Sequence, residues 1–227
     1  IAPYVVIDCG SSDEKGVGTY RLLPYLKYMG VQKVDAVFVS HADEDHISGI
    51  KELIEAAGEP GGLRIGTLLL SGRSLEEDKG QRLVEKAREN GIAVGRIERG
   101  AVLQDDSARL ICLHPDAGTG YTDVNVASVV LALSYGDFSV LLTGDLEEAG
   151  EQEILEREQK NLETSMALCR QLKDREEPLS ALDAQALLEE MELLEHQGAT
   201  FLNRQTGDAR RMRRVAPAVV TVVMVAL

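Results

Sequence analysis

Residues 35–50, DAVFVSHADEDHISGI, decide how the chain is read. The segment begins as a short apolar strand, 36–40, and stops abruptly at His41, Asp43, Asp45 and His46. Gly49 then opens a helix. Four residues able to bind a metal fall within six positions just past a strand end, where a fixed backbone can turn several side chains toward one point. Neutral imidazoles and carboxylates are the usual ligands of zinc and, with more oxygen in the set, of manganese or magnesium. The simplest reading is a metal site; the bland alternative is a solvated acidic loop with two incidental histidines. A calcium loop of the EF-hand kind does not fit. Counted from Asp43, the turn glycine comes one place late and the twelfth position is Ile54, where a bidentate glutamate is required.

The surrounding chain suits one substantial domain, or one domain with an appendage. Its 227 residues carry a net charge of −14 and are 44% hydrophobic. That acidity argues against broad, sequence-blind affinity for nucleic acid, which needs many cations set against phosphates. It leaves room for a nuclease whose metal ions hold the scissile phosphate. Cys9, Cys112 and Cys169 are an odd count with no CxxC pair, and the first two sit in apolar strand-like contexts. They read as small core residues. The chain begins at Ile1 without a signal-like segment and looks like a piece of something longer.

In order, 4–9 (YVVIDC) is a buried strand running into a loop, and 19–29 a helix with Pro24 early in it and Gly30 after it. Strand 35–40 leads to helix 49–57. Further strands are expected at 68–70, 92–97 and 108–113, with a charged, solvent-facing helix at 80–90. Strands 129–134 and 138–142 form a hairpin through Tyr135-Gly136-Asp137, and the second runs into Thr143-Gly144-Asp145. This irregular alternation suits a layered α/β sandwich. From about 147 the character changes to dense Glu, Lys and Arg on helical patterns, 147–175 and 181–196. The division is therefore a hydrolase-like domain over 1–150, a charged helical region over 151–214, and an apolar segment over 215–227. That last segment follows an arginine cluster and reads either as the start of a membrane span or as a buried strand.

Three further residues stand where an apolar strand gives way to a polar one: Asp8, His114 and Asp145. Asp145, after a permissive Thr-Gly turn, is suited to bridge two cations at the roughly 3.5–4 Å spacing of dinuclear hydrolases; its alternative is a helix N-cap. His114, before a proline, is as much a structural candidate as a ligand. Asp8 is placed to orient the HADEDH loop through hydrogen bonds to ligands. Asn125 and Ser128 are placed to tie down the loop beside the site, or are ordinary turn residues. Two ions so held would lower the pKa of a bound water to near 7 and neutralise charge on the attacked centre. Asp45 would hold the second ion and the attacking water. No GxSxG elbow, P-loop or dinucleotide fingerprint is present, so no nucleotide cofactor is expected.

The order Asp8, HADEDH (41–46), Asn125-x-x-Ser128 and LLTGD (141–145) resembles the metallo-β-lactamase fold, and more narrowly the metallo-hydrolase domain of the ComEC family of competence DNA-uptake proteins. Most of the superfamily has histidine where this chain has Asp43; the ComEC-like branch has aspartate, and its N..S.VL.L.YG..S.LLTGD run is matched by 125–145. The similarity covers roughly residues 4–157. It implies a four-layer αββα sandwich and a metal-dependent phosphodiesterase or nuclease that degrades one strand of incoming DNA at the outer face of the bacterial membrane. His41 and Asp43 would hold one divalent ion and Asp45 and His46 the other, with Asp145 bridging and His114 completing the set. The ions would be manganese or zinc, with magnesium a further choice and Asp43 favouring the oxygen-loving metals. Family members continue with a His-His-Gly-Ser strand and a late Gly-His-Pro, absent here, where the only later histidine is His196. Either the second half of the sandwich is missing or another sequence is joined on after about residue 157. Two ions are expected, or only one, or weak binding, if the site lacks a ligand. A fold without its last strands would expose a sheet edge that the helical tail would cover. Two other readings remain: a stand-alone hydrolase of a small ester or thioester, and a catalytically silent piece whose helices and apolar end mediate partner or membrane contact.

Overall fold

A computed structural model describes residues 3–105, 107–147, 149–173 and 222–226. Two apolar runs set its architecture. β1 (Val5–Gly10) and β2 (Lys33–Phe38) lie parallel, with Val5 opposite Ala36 and Ile7 opposite Phe38. β3 (Arg64–Leu70) and β4 (Ala93–Arg96) extend the sheet beyond β2, also in parallel. Successive side chains of a strand point to opposite faces, and an all-parallel sheet is normally covered on both. Val6, Val34, Val37 and Leu68 accordingly pack with Ile47, Ile50, Leu53 and Ile54 of α2 (Glu44–Ala57) and with Leu83 and Ala87 of α4 (Asp78–Glu89). Val5, Ile7, Ala36 and Phe38 face the other way, into a second core with Leu110, Cys112, Leu131, Leu133 and Leu142.

That second core lies against an antiparallel sheet ordered β5 (Val102–Gln104), β6 (Ala108–His114), β7 (Val130–Tyr135) and β8 (Phe138–Leu142). Helices, parallel sheet and antiparallel sheet are thus successive layers of the expected α/β sandwich. Cys9 and Cys112 are buried thiols, one in each core. Burial pushes the Cys9 thiol up to about 12, which keeps it an inert core residue.

Several elements depart from the sequence expectation. α2 begins at Glu44, five residues before Gly49. Asp43 is extended, its carbonyl accepts the N–H groups of His46 and Ile47, and Glu44 and Asp45 occupy the first turn, where acidic residues suit the helix dipole. Half of HADEDH is therefore helix. Gly49 is needed for another reason: a Cβ there would stand 2.5 Å from Cys9 Sγ and 2.9 Å from Gly18 N. The helix expected at 19–29 is a π-turn, Gly18–Leu22, running into α1 (Leu23–Tyr28), with Pro24 in its first turn. α3 (Gly72–Glu76) and β5 were not anticipated; β5 is only three residues long and exposed throughout, and the pair Val102-Leu103 is too short an apolar run to mark a strand.

The chain divides into two compact units, Ile1–Glu147 with Pro217–Leu227, and Glu148–Ala216. Within the second, α5 (Ala149–Lys173) is the long charged helix, with Leu155 and Met166 exposed. The helix expected at 181–196, with His196, lies outside the described residues. The apolar tail contains β9 (Val222–Ala226), which pairs in parallel with β1 and completes the order β4-β3-β2-β1-β9. It takes the strand alternative of the two read from sequence. Among the described residues, no helix is long and apolar enough to cross a membrane. None of the described strands pairs with the outer edge of β8, and Phe138 and Leu141 of that strand are exposed.

Candidate metal centre

The centre forms where β1, β2 and β8 end together. β1 carries Asp8 at φ 51, beside an irregularity in its pairing with β9 between Val6 and Cys9. A non-glycine residue at positive φ is uncommon, although aspartate is among those enriched there, and such strain costs about 1–3 kcal/mol. Burial of one α2 side chain such as Ile47 is worth about as much, so the core can hold the strain. What it achieves is direction: Asp8 Oδ1 accepts the Ser40 N–H at 2.8 Å, and Oδ2 lies 3.0 Å from His46 Nδ1.

Ser40 joins the two histidines. Its Oγ is 3.2 Å from Nδ1 of His41 and 3.2 Å from Nδ1 of His46. With both Nδ1 atoms engaged, each ring turns its Nε2 outward, and the rings stand 4.1 Å apart. Asp145 arrives from the other sheet. Gly144 is at φ 54, and a Cβ there would stand 2.6 Å from Ser40 Cβ. Only glycine lets the Thr-Gly-Asp turn settle on Ser40, and the Val129 N–H donates to Ser40 O at 2.8 Å to hold the two sheets together.

The outcome is a cluster of His41, His46 and Asp145, whose donor atoms all lie within 4.8 Å of one another. Asp145 Oδ1 is 3.1 Å from His46 Nε2, and Oδ2 is 3.9 Å from His41 Nε2. Asp43 Oδ2 is 3.6 Å from His41 Nε2, and Asp45 Oδ2 is 3.9 Å from His46 Nε2. These spacings suit a shared cation. Two ligands each about 2.0–2.2 Å from a tetrahedral ion stand roughly 3.4 Å apart. The strongest sign is His41 Nε2, which is buried and makes no hydrogen bond. Buried polar atoms are nearly always satisfied, and an exception asks for an explanation; a metal ligand is one. The donor set and the orphaned nitrogen therefore fit a divalent cation.

Electrostatics follow the geometry. Burial, assisted by the neighbouring His46, holds His41 below its ordinary pKa, so it presents a neutral nitrogen. Burial also presses on His46, but the hydrogen bond and charge of Asp8, with Asp145 and Asp45, outweigh it and raise that imidazole. Asp43 is held below the usual carboxylate range, chiefly by a hydrogen bond from Lys79, whose Nζ lies 2.5 Å from Asp43 Oδ1.

The remaining expected residues fall around this cluster. Asp8 stands behind the histidines, touching His46 and Ser40, as the strand-end pattern suggests. His114 is not brought into the cluster: its Nε2 lies 2.7 Å from Val126 O and its ring packs edge-on against Tyr121, so it serves the loop that follows β6. The Ser128 N–H donates to Asn125 O, and Asn125 Nδ2 donates to Glu147 Oε1 at 3.0 Å, two residues past Asp145. Ser40, Lys79 and Glu147 were missed. Ser40 looks like the last residue of a strand, and Lys79 sits in a charged helix with no motif around it.

A sequence model of the metallo-beta-lactamase superfamily matches residues 2–194. ComE operon protein 3 of Bacillus subtilis (strain 168) is 33% identical over 139 residues, which is 61% of this chain; the chain spans only 17% of that relative's length. Among solved structures, the metallo-beta-lactamase fold protein YhfI from Bacillus subtilis is similar at 18% identity and a TM-score of 0.41, covering 61% of this chain and 49% of that one. A metallo beta lactamase from Hirschia baltica is similar at 15% identity and a TM-score of 0.33, covering 60% and 52%. With the superfamily match running through most of its length, and with a cation-ready cluster at the shared end of its two sheets, the chain belongs to the metallo-beta-lactamase superfamily.

Proposed function

We propose that this chain is a metal-dependent hydrolase of the ComEC-like branch, acting on phosphodiesters, with single-stranded DNA as the substrate class. The observation that carries the reading is the buried, unbonded His41 Nε2 facing the carboxylates of Asp43 and Asp145. The identity shared with ComE operon protein 3 supports the branch, and the oxygen-rich donor set supports manganese or magnesium over a metal suited to an all-histidine site.

His41, His46, Asp43 and Asp145 would hold one or two divalent ions. Bound there, such ions supply a Lewis acid and a water that ionises near neutral pH. The protein's own part is orientation. Ser40 and Asp8 fix both imidazoles with Nε2 toward the ligand. Asp45, in the first turn of α2 with its side chain 49% exposed, stands at the open rim beside His46. There it is placed to take the proton of the attacking water, the role of a general base.

The test combines metal content with turnover. The chain is expected to retain close to one or two equivalents of manganese or zinc after dialysis, and to cleave single-stranded DNA and bis-p-nitrophenyl phosphate faster than p-nitrophenyl acetate. An Asp45→Ala/Asp145→Ala double variant is expected to lose the metal and the cleavage. A protein that holds no divalent metal, or that prefers the neutral ester, overturns the proposal.

A further inference from the structure

Lys79 is the residue of the centre that ligand geometry does not explain. It lies in the first turn of α4, where a cation opposes the helix dipole. Local helix energetics therefore give no reason for it. Its position is nevertheless fixed by packing. Gly80, beside it, is buried, and a Cβ there would stand 1.8 Å from Ser74 O and 3.6 Å from Ala42 Cβ. The first turn of α4 is thus seated against α3 and against the loop that carries His41 and Asp43. From that seat Lys79 Nζ reaches Asp43 Oδ1, while the other oxygen of the same carboxylate is 3.6 Å from His41 Nε2.

Both side chains remain open to solvent, Lys79 by 44% and Asp43 by 36%. An ammonium has three donors, and Asp43 takes one of them. The rim around it is otherwise acidic, with Asp45 and Asp145 about half exposed. A phosphodiester carries a full negative charge and must approach those carboxylates; a neutral ester meets no such barrier. A lysine held at this rim answers a need that only the anionic substrate has.

We propose that Lys79 is a substrate-recognition residue: its free donors bind a non-bridging oxygen of a phosphate group seated at the His41–His46–Asp145 cluster, favouring phosphate esters over neutral ones. This rests on the hydrolase reading for the place of the phosphate but not for turnover. The experiment is calorimetric titration of inorganic phosphate into the manganese-loaded full chain, as wild type, Lys79→Met and Lys79→Arg, with manganese affinity measured on each. Charge-assisted hydrogen bonds set the expected scale: Lys79→Met should weaken phosphate binding about tenfold or more. Manganese affinity should stay within about twofold of wild type, because the metal's ligands remain in place, and Lys79→Arg should recover most of the phosphate affinity. Unchanged phosphate binding in Lys79→Met overturns the proposal. So does a parallel fall in manganese affinity, which would make Lys79 a support for Asp43 instead. A protein that binds phosphate as expected yet cleaves no diester counts against the hydrolase reading and leaves the role of Lys79 standing.

Discussion

Asp8 decides which nitrogen of His46 is free. The carboxylate accepts the Nδ1–H and leaves the Nε2 lone pair facing Asp145. In Asp8→Asn the side chain keeps its shape, and asparagine tolerates the positive φ, but an amide group facing Nδ1 donates a proton where the carboxylate received one. The imidazole then carries its hydrogen on Nε2 and cannot ligate. Metal affinity should fall about 10–100-fold, the usual cost of losing a group that orients a ligand, while circular dichroism stays native; unchanged affinity would remove Asp8 from the design. The same residues set a pH signature. His46 is raised above 6.5 in the metal-free fold, so the stability it contributes is complete below pH 6.5 and is lost as pH rises through its folded value. His41 is lowered, so its contribution is lost as pH falls from 6.5 through its folded value. The metal-free protein should therefore melt highest near pH 6.5, as far as these two groups govern it. Saturating manganese binds only the neutral imidazoles, so the melting temperature should then go on rising above pH 6.5. Thermal scans from pH 5 to 8 with and without metal check both curves.

At the scale of elements, the centre depends on how closely α2 lies on β1. Gly49 in α2 faces Cys9 Sγ at 2.5 Å, Gly18 N at 2.9 Å and Cys9 O at 3.0 Å from where a Cβ would be. Helix propensity alone would make Gly49→Ala favourable by about 1 kcal/mol. Overpacking costs typically about 1–3 kcal/mol, and here two of the three neighbours are backbone and cannot rotate away. The clash should win, with a net loss of up to about 2 kcal/mol in urea unfolding; a stabilised variant would show that α2 can slide. The case also shows what was legible. Gly49 was correctly singled out in HADEDHISG, yet for opening a helix that actually starts at Glu44. The apolar runs of β1 and β2 were readable because a strand buried on both faces needs them, and that of β8 because Val140 and Leu142 face the second core. β5 was not, having three exposed residues and an identity conferred by its pairing with β6. Local pattern reveals an element when burial dictates its composition, and is silent when only tertiary hydrogen bonding does.

For the whole molecule, sequence located the cluster better than its surroundings. His41 and Asp145 follow the ends of β2 and β8, and His46 lies in the first turn of α2 just beyond, where the layering of the fold brings strand ends together. Lys79 and Ser40 reach the same point by tertiary placement, which no spacing along the chain encodes. Charge gives the last test, because it is a property of the entire chain. At −14, with 38 Asp and Glu against 24 Lys and Arg, the protein as a whole repels a polyanion, and the structure places one of its cations, Lys79, on Asp43 beside the cluster. If DNA is held mainly by the metal centre and this lysine, about one or two phosphates are neutralised by protein cations. For a single strand the logarithmic salt slope is roughly −0.7 per such contact. Between 50 and 200 mM salt, at saturating manganese, kcat/KM on single-stranded DNA should then fall by only about 3- to 7-fold. A protein gripping DNA through 6–10 contacts would lose several orders of magnitude over the same range. A steep slope would mean that a basic surface beyond the centre carries the strand, and that recognition is spread over the molecule instead of concentrated at the ends of β1, β2 and β8.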